Sequence, residues 1–332
     1  MAVRLGCLGA AKITPPALVW PSRVCGGVKL QAIAARDGTR AAEFARYHGF
    51  ARTEADCAAL IAANDIDLVY NALPINLHSL WSIRALEAGK DVLCEKPFAM
   101  NLSEAEAVLD AAKRSGRRVI EAFHTRYHPG FRQVVEWVWS GVIGEVRSIK
   151  SRFDIGVPNS GGTDIRHLPE TGGGAMMDLG CYPLSWSLAL LGGTPKVREA
   201  QATLTAAGVD ESMVVALEFA SGAVAELGAS MAVGRPFVAD LSVTGTAGEI
   251  VFKNVIAPHH GARLSLTREG KTTVIPVSRL ATYAYQLDAV VSALGSGEPL
   301  LTEGDAILRQ QRTLDAIYGA AGLMRLREFS AK

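Results

Sequence analysis

The chain has too few cysteines, too little net charge and too short apolar runs for several classes of protein. Five cysteines, Cys7, Cys25, Cys57, Cys94 and Cys181, are scattered without a C-x-x-C pair, so neither zinc-ligand spacing nor a disulfide framework is indicated. Reduced thiols in a cytoplasmic setting are the simpler reading. Thirty-four Lys and Arg against 33 Asp and Glu leave a formal charge of +1. That balance lacks the positive field of a nucleic-acid reader, and no acidic tail is present. No apolar run reaches the length of a bilayer span. The first residues enter a strand-like stretch directly, without the order of a signal peptide. The expectation is a soluble, cytoplasmic chain whose partner is a small-molecule substrate, with no nucleic acid, membrane or metal.

What is present is the composition of a globular protein, 49% apolar and 20% charged over 332 residues. That length favours two domains. In the first third, short apolar strands alternate with helical segments. Strands are expected at Val3 to Leu8, Val28 to Ala35, Asp67 to Leu73, Asp91 to Glu95 and Arg118 to Phe123. Helices are expected at Thr39 to His48, Glu54 to Ala63, Leu77 to Ala88 and Ser103 to Ser115, the last opening on a capping-box pattern, Ser103 to Glu106. This alternation implies an α/β fold with a parallel, doubly wound Rossmann sheet. After about Phe123 the rhythm changes, and from Val197 to Val277 strand follows strand with turn signals between them. A second α+β domain with a mainly antiparallel sheet is expected. The division is 1–123 for a dinucleotide-binding domain and 124–332 for a substrate and oligomerisation domain.

At the end of the first strand, Gly9-Ala10-Ala11 followed by Lys12 and Ile13 reads as a dinucleotide-binding turn. Gly9 permits the sharp exit, Ala11 is small enough for a pyrophosphate to approach the backbone, and the helix start offers amides to an anion. The glycine pattern is degenerate, since Ala11 and Thr14 stand where glycine or alanine recur. The second strand ends Ala34-Ala35-Arg36-Asp37, with Ala35 where NAD sites place an acid. Arg36 can pair with a 2′-phosphate, with Thr39 and Arg40 nearby, so NADP is expected rather than NAD. A solvated Arg36 paired with Asp37 is the alternative. Leu73, Pro74, Asn76 and His78, after the third expected strand, are also assigned to the cofactor, as are Asp37 and Arg126.

Two further groups carry chemistry. Glu95-Lys96-Pro97 lies at the carboxyl end of a strand, where ligands of open α/β sheets collect. The proline restricts Lys96 to an extended backbone from which its amine can reach the crevice. The second group runs from Gly172-Gly173-Gly174 through Asp178 to Tyr182-Pro183. Three glycines mark a close backbone approach. On a helix, Asp178 and Tyr182 would share a face, but Pro183 means that the helix either starts there or is kinked there. Tyr182 is equally readable as a structural corner.

Together, Lys96 in Glu-Lys-Pro, Asp178-x-x-x-Tyr182 after the glycines, Glu121-Ala122-Phe123 before Arg126-Tyr127-His128-Pro129, and Ala35-Arg36-Asp37 ahead of Arg40-Ala41 resemble the glucose–fructose oxidoreductase/inositol dehydrogenase family (Gfo/Idh/MocA). The resemblance implies a Rossmann domain followed by a domain with a large open sheet, often used for dimerisation, hence a homodimer or homotetramer. Tyrosine at 182 is similar to the dihydrodiol dehydrogenase, xylose dehydrogenase and glucose–fructose oxidoreductase branch, which mostly uses NADP. It implies that Tyr182 is the general acid/base, that Lys96 lowers its pKa or holds the reacting hydroxyl, and that Asp178 positions substrate or nicotinamide ribose. A free tyrosine titrates near pH 10, so a nearby cation is needed for it to act as a base at neutral pH. Arg126, His128, Arg152, Arg166 and His167 are expected to line the substrate pocket. The expected activity is hydride transfer to or from an aldose C1 or a cyclic diol carbon. A non-catalytic NADP-binding regulator and an aldose–aldose oxidoreductase holding its NADP tightly are the alternatives.

Overall fold

The computed structural model describes residues 2–159 and 162–324. They form two compact units, one of 2–124 with Tyr283–Leu308, the other of Thr125–Thr282 with 309–324.

The first unit is built on six parallel strands, β1 (Val3–Leu8), β2 (Val28–Ala34), β3 (Arg52–Thr53), β4 (Leu68–Asn71), β5 (Asp91–Cys94) and β6 (Val119–Glu121), in the order β3-β2-β1-β4-β5-β6. This is the doubly wound order with its switch point beside β1. The strands read as continuous apolar runs because both faces are covered. Alternate residues feed two cores: Leu68 and Tyr70 join one with Leu5, Ile33 and Leu93, while Val69 joins the other with Ala32, Ala34 and Val92. Helices α1 (Trp20–Val24), α2 (Gly38–His48), α3 (Cys57–Ala62), α4 (His78–Glu87) and α5 (Leu102–Ser115) connect the strands. The cap of α5 differs from the expected Ser103 box. Asn101 accepts from the Glu104 amide and Glu104 reaches back to the Met100 amide, one turn earlier. Asparagine serves the same role as serine there.

The segment 283–308, placed by sequence in the second domain, packs with the first unit. Ala284, Leu287 and Val290, spaced three apart, fill the core that holds Leu5 and Tyr70. Arg118 fastens it further by pairing with Glu303 at 2.9 Å and donating to the Ala293 and Glu298 carbonyls.

The second unit contains helices α6 (Pro129–Trp139) and α7 (Cys181–Leu191) and an eight-stranded sheet. Its strands are β7 (Val146–Asp154), β8 (Lys196–Leu204), β9 (Asp210–Glu218), β10 (Val224–Ser230), β11 (Val238–Gly245), β12 (Gly248–Lys253), β13 (Arg263–Arg268) and β14 (Lys271–Ile275). Their order is β14-β13-β12-β11-β7-β10-β9-β8, and only β7 and β10 run parallel. Two helices close the chain, α8 (Thr282–Ser296) and α9 (Asp305–Ala320). Among the described residues no helix is long and apolar enough to cross a membrane.

Candidate functional site

In the first unit, the carboxyl ends of β1, β2, β4 and β5 carry most of the expected cofactor residues. Gly9 adopts φ +96°, its amide donates to the Ala34 carbonyl at 2.8 Å, and a Cβ there would stand 3.2 Å from the Ala72 carbonyl. Only glycine takes that turn without strain. Ala10 is buried, and Ala11 accepts from the Thr14 amide at 3.1 Å. The expectation that the following helix offers its own amides needs correction. Its first turn holds Pro15 and Pro16, which have no N–H to give. The amides of Ala10, Ala11, Lys12 and Ile13, which take no backbone acceptor among the described residues, are the donors left at this turn.

The alternative pairing of Arg36 with Asp37 is not formed. Asp37 caps α2 by accepting from the Arg40 amide at 3.1 Å. Arg36 is exposed and in no ion pair among the described residues. The Arg40 guanidinium folds back over the glycine turn and donates to the Ala10 carbonyl at 2.7 Å. One cation, Arg40, therefore meets the turn, Arg36 follows the end of the neighbouring strand β2, and the nearest carboxylate in sequence is occupied as a helix cap.

After β4, Asn71 is fully buried, donates to the His78 carbonyl and Ser82, and accepts from the Leu73 amide. Pro74 precedes the short turn Ile75–Leu77, which contains Asn76. His78 is buried, with Nε2 2.8 Å from the Leu73 carbonyl and Nδ1 3.0 Å from the Pro97 carbonyl. Burial pushes its pKa down from 6.5 to about 4, against the pull of those carbonyls. The neutral ring, with a single N–H, donates to one of these carbonyls at a time and packs between the loop after β4 and the loop after β5. Glu95 is buried and accepts from the Tyr70 hydroxyl at 2.6 Å and, less closely, from the Lys96 amide. Glu121 holds the same loop by accepting from the Phe98 amide at 3.0 Å. Lys96 thus leaves a backbone fixed on both sides, with its side chain half-buried.

In the second unit, Asp178 and Tyr182 lie on one continuous helical run. A wide π-turn, Met176–Gly180, passes directly into α7. Pro183 is the third residue of α7 but internal to the continuous run, so the irregularity expected at the proline takes the form of the wide turn just before it. Gly180 lets the turn close, because a Cβ there would strike the Met176 sulfur and come within 3.2 Å of Ala229. Tyr182 is 3% exposed, its ring edge-on to Phe153 at 5.6 Å and tilted against Trp186 at 6.4 Å. Arg166 Nε pairs with Asp178 at 2.9 Å while its Nη1 reaches Asp164 at 3.2 Å. One guanidinium therefore fixes the Asp178 carboxylate from the neighbouring loop.

The other expected substrate residues are distributed differently. His128 caps α6, accepting from the Gly130 amide through Nδ1 at 3.1 Å, with Nε2 3.3 Å from the Ser278 carbonyl. Burial lowers its pKa to about 4. His167 is buried with Nε2 3.0 Å from the Val157 carbonyl, pinning the loop that carries Arg166. Both rings are engaged by backbone. Arg152 points to the face of β7 opposite Phe153, over Gly228, and pairs with Asp154. The period-two pleat puts it on the other side of the sheet from Tyr182. Arg126 is half-buried in the short turn His124–Tyr127.

Sequence reasoning missed Tyr70 and Asn71, polar groups inside an otherwise apolar strand. It also missed Asp210 and Tyr318, which meet the start of the Asp178 helix from far along the chain.

Residues 3–123 match the family described as an oxidoreductase family with an NAD-binding Rossmann fold. Residues 131–251 match the GFO/IDH/MocA C-terminal domain. The chain is 32% identical to the D-xylose 1-dehydrogenase (NADP(+)) 2 of Haloferax volcanii, covering 95% of this chain and 96% of the relative. It is also 32% identical to the dTDP-3,4-didehydro-2,6-dideoxy-alpha-D-glucose 3-reductase of Streptomyces antibioticus, over 96% and 97% of the two chains. A 3-ketoreductase of Actinomadura kijaniata, solved with NADP and TDP-benzene, superposes with a TM-score of 0.87 at 28% identity, covering 96% and 98%.

Proposed function

The chain belongs to the GFO/IDH/MocA oxidoreductase family, and on that premise we propose that it is an NADP-dependent dehydrogenase of a sugar or cyclic diol, with Tyr182 as acid/base and Lys96 beside it. The observation that carries this reading is the joint presence of three built features. They are an Arg36 left unpaired because Asp37 caps a helix, a Lys96 on a backbone held by Glu95 and Glu121, and an Asp178–Tyr182 helix fixed by Arg166.

The cofactor turn at Gly9 to Ile13 would take the pyrophosphate, with Arg36 and Arg40 toward the 2′-phosphate. Bound NADP supplies the hydride acceptor or donor. In the oxidative direction the Tyr182 oxygen would take the substrate hydroxyl proton as that carbon gives up its hydride. The Lys96 ammonium favours the phenolate and orients the reacting hydroxyl. Asp178, held by Arg166, accepts from a neighbouring substrate hydroxyl and sets its register. Relatives that bear on substrate include a xylose dehydrogenase, a nucleotide-sugar reductase and a trans-1,2-dihydrobenzene-1,2-diol dehydrogenase; the first and third support the sugar and the diol as substrate classes.

The test is formation of NADPH, followed by absorbance, on adding D-xylose, D-glucose or a cyclic trans-diol, with NAD run in parallel. Turnover with NADP exceeding that with NAD supports the reading. Inertness toward the whole panel, with no competitive binding, would overturn it in favour of an NADP-binding regulator.

A further inference from the structure

We propose that Asp210 and Tyr318 form a positioning pair that sets the register of the helix carrying Asp178 and Tyr182. The inference rests on the reading of Tyr182 as acid/base.

Asp210 opens β9 and is fully buried. Its Oδ2 accepts from the Met176 amide at 2.7 Å, and its Oδ1 accepts from the Tyr318 hydroxyl at 2.8 Å. Met176 is the first residue of the π-turn, and the residue before it, Ala175, has no side chain able to cap. The leading amides of a helix need an outside acceptor. Here that acceptor comes from a strand 34 residues later, held in turn by α9.

Gly174 shows that the space is reserved for this pair. A Cβ at 174 would fall on the Asp210 carboxylate and stand 2.8 Å from the Tyr318 hydroxyl. Helix α9 touches the same run a second time, since Gln310 Nε2 donates to the Cys181 carbonyl at 2.8 Å, immediately before Tyr182. The π-turn between these two points gives the geometry its significance. A π-turn contains one more residue than the α-turn it replaces, is rare, and recurs at functional sites. Relaxation to α geometry would turn Tyr182 about the helix axis by roughly 100° relative to the residues that precede the π-turn. A pair that anchors the first amide while Gln310 anchors the other end keeps the wide turn in place. The pair meets the run at the Met176 amide, two residues before Asp178 and six before Tyr182, so its effect reaches both side chains through the helix backbone.

The experiment compares Tyr318→Phe, Asp210→Asn and Asp210→Ala with the parent enzyme and with Tyr182→Phe. The readouts are steady-state oxidation of D-xylose by NADP, the NADPH dissociation constant from nicotinamide fluorescence, and the primary isotope effect with 1-deuterated xylose. Misplacing a reacting group by about 1 Å can cost on the order of a hundredfold in rate. Asp210→Ala should therefore lower kcat about a hundredfold and Tyr318→Phe about tenfold. Asp210→Asn should fall between them, because an amide oxygen can still accept from Met176. NADPH affinity should stay within about twofold and the isotope effect on kcat should rise, as hydride transfer becomes limiting. Tyr318→Phe removes one oxygen only, so it reports even if the Asp210 variants fold poorly. Full kcat in both Tyr318→Phe and Asp210→Asn would overturn the proposal, as would equal losses in kcat and cofactor affinity with an unchanged isotope effect. If Tyr182→Phe keeps full turnover, or the parent enzyme is inert, the acid/base reading fails and the proposal falls with it. If Tyr182→Phe is inactive while the other variants are unimpaired, the positioning pair alone fails.

Discussion

The Arg40 guanidinium donates to the Ala10 carbonyl across 2.7 Å, so a cation of α2 is bonded directly to the glycine turn after β1. Arg36, four residues earlier, makes no such bond and stands exposed. The two arginines are therefore expected to contribute differently, Arg40 partly to the shape of the turn and Arg36 to phosphate alone.

Arg36→Ala should weaken NADPH binding by about 10- to 100-fold, the worth of one charge-assisted bond, and leave NADH within about twofold. Paired fluorescence titrations measure this. Equal losses for both nucleotides would remove Arg36 from the 2′-phosphate.

Tyr182→Phe should reduce kcat by about 10²- to 10⁴-fold, the range for a lost general acid/base, with NADPH affinity unchanged. Stopped-flow single turnovers distinguish this from slow product release. A normal rate of hydride transfer would assign the phenol to packing between Phe153 and Trp186.

Arg166 bridges Asp164 and Asp178 through separate guanidinium nitrogens. Arg166→Lys should not restore what Arg166→Ala loses, because a single ammonium cannot reproduce the planar fork. Both variants should lower kcat/KM for the sugar about tenfold, the effect expected of one lost charged hydrogen bond, at unchanged NADPH affinity. Full activity of Arg166→Lys would show that charge alone suffices.

His78 is neutral in the fold, with burial pushing its pKa from 6.5 to about 4. The unfolded chain binds a proton near 6.5 that the folded chain refuses until about 4. Stability from this group is therefore complete above pH 6.5. It declines as pH falls toward 4 and levels off below that. The loss across that window is at most about 3 kcal/mol. Urea unfolding at several pH values in this window should show a shallower decline for His78→Gln than for the parent chain. An unchanged slope would mean that the imidazole is already protonated in the fold.

The parallel sheet was legible because its strands are short apolar runs punctuated by turn signals. β3 escaped notice because two residues, Arg52 and Thr53, make no hydrophobic pattern. Residues close in sequence to a strand end, Gly9, Arg36 and Lys96, could be picked out by position. His128 and His167 could not be sorted in advance, since nothing local distinguishes a ring facing a substrate from one bonded to a distant carbonyl. The direction of Arg152 was recoverable: once Phe153 is placed facing inward, the alternation of a strand turns its neighbour to the opposite face. The Asp210–Tyr318 contact joins residues 108 apart, a separation at which no periodicity or spacing carries information.

The proposed chemistry requires the Tyr182 phenol and the Lys96 amine to act on one substrate hydroxyl. A crystal structure with NADP and a slowly reacting sugar tests it most directly. Both side-chain atoms are expected within about 3 Å of the same hydroxyl oxygen, with its carbon facing the nicotinamide C4. A sugar bound beside the nicotinamide with the Tyr182 oxygen turned away, bonded instead within the core of its own unit, would contradict it.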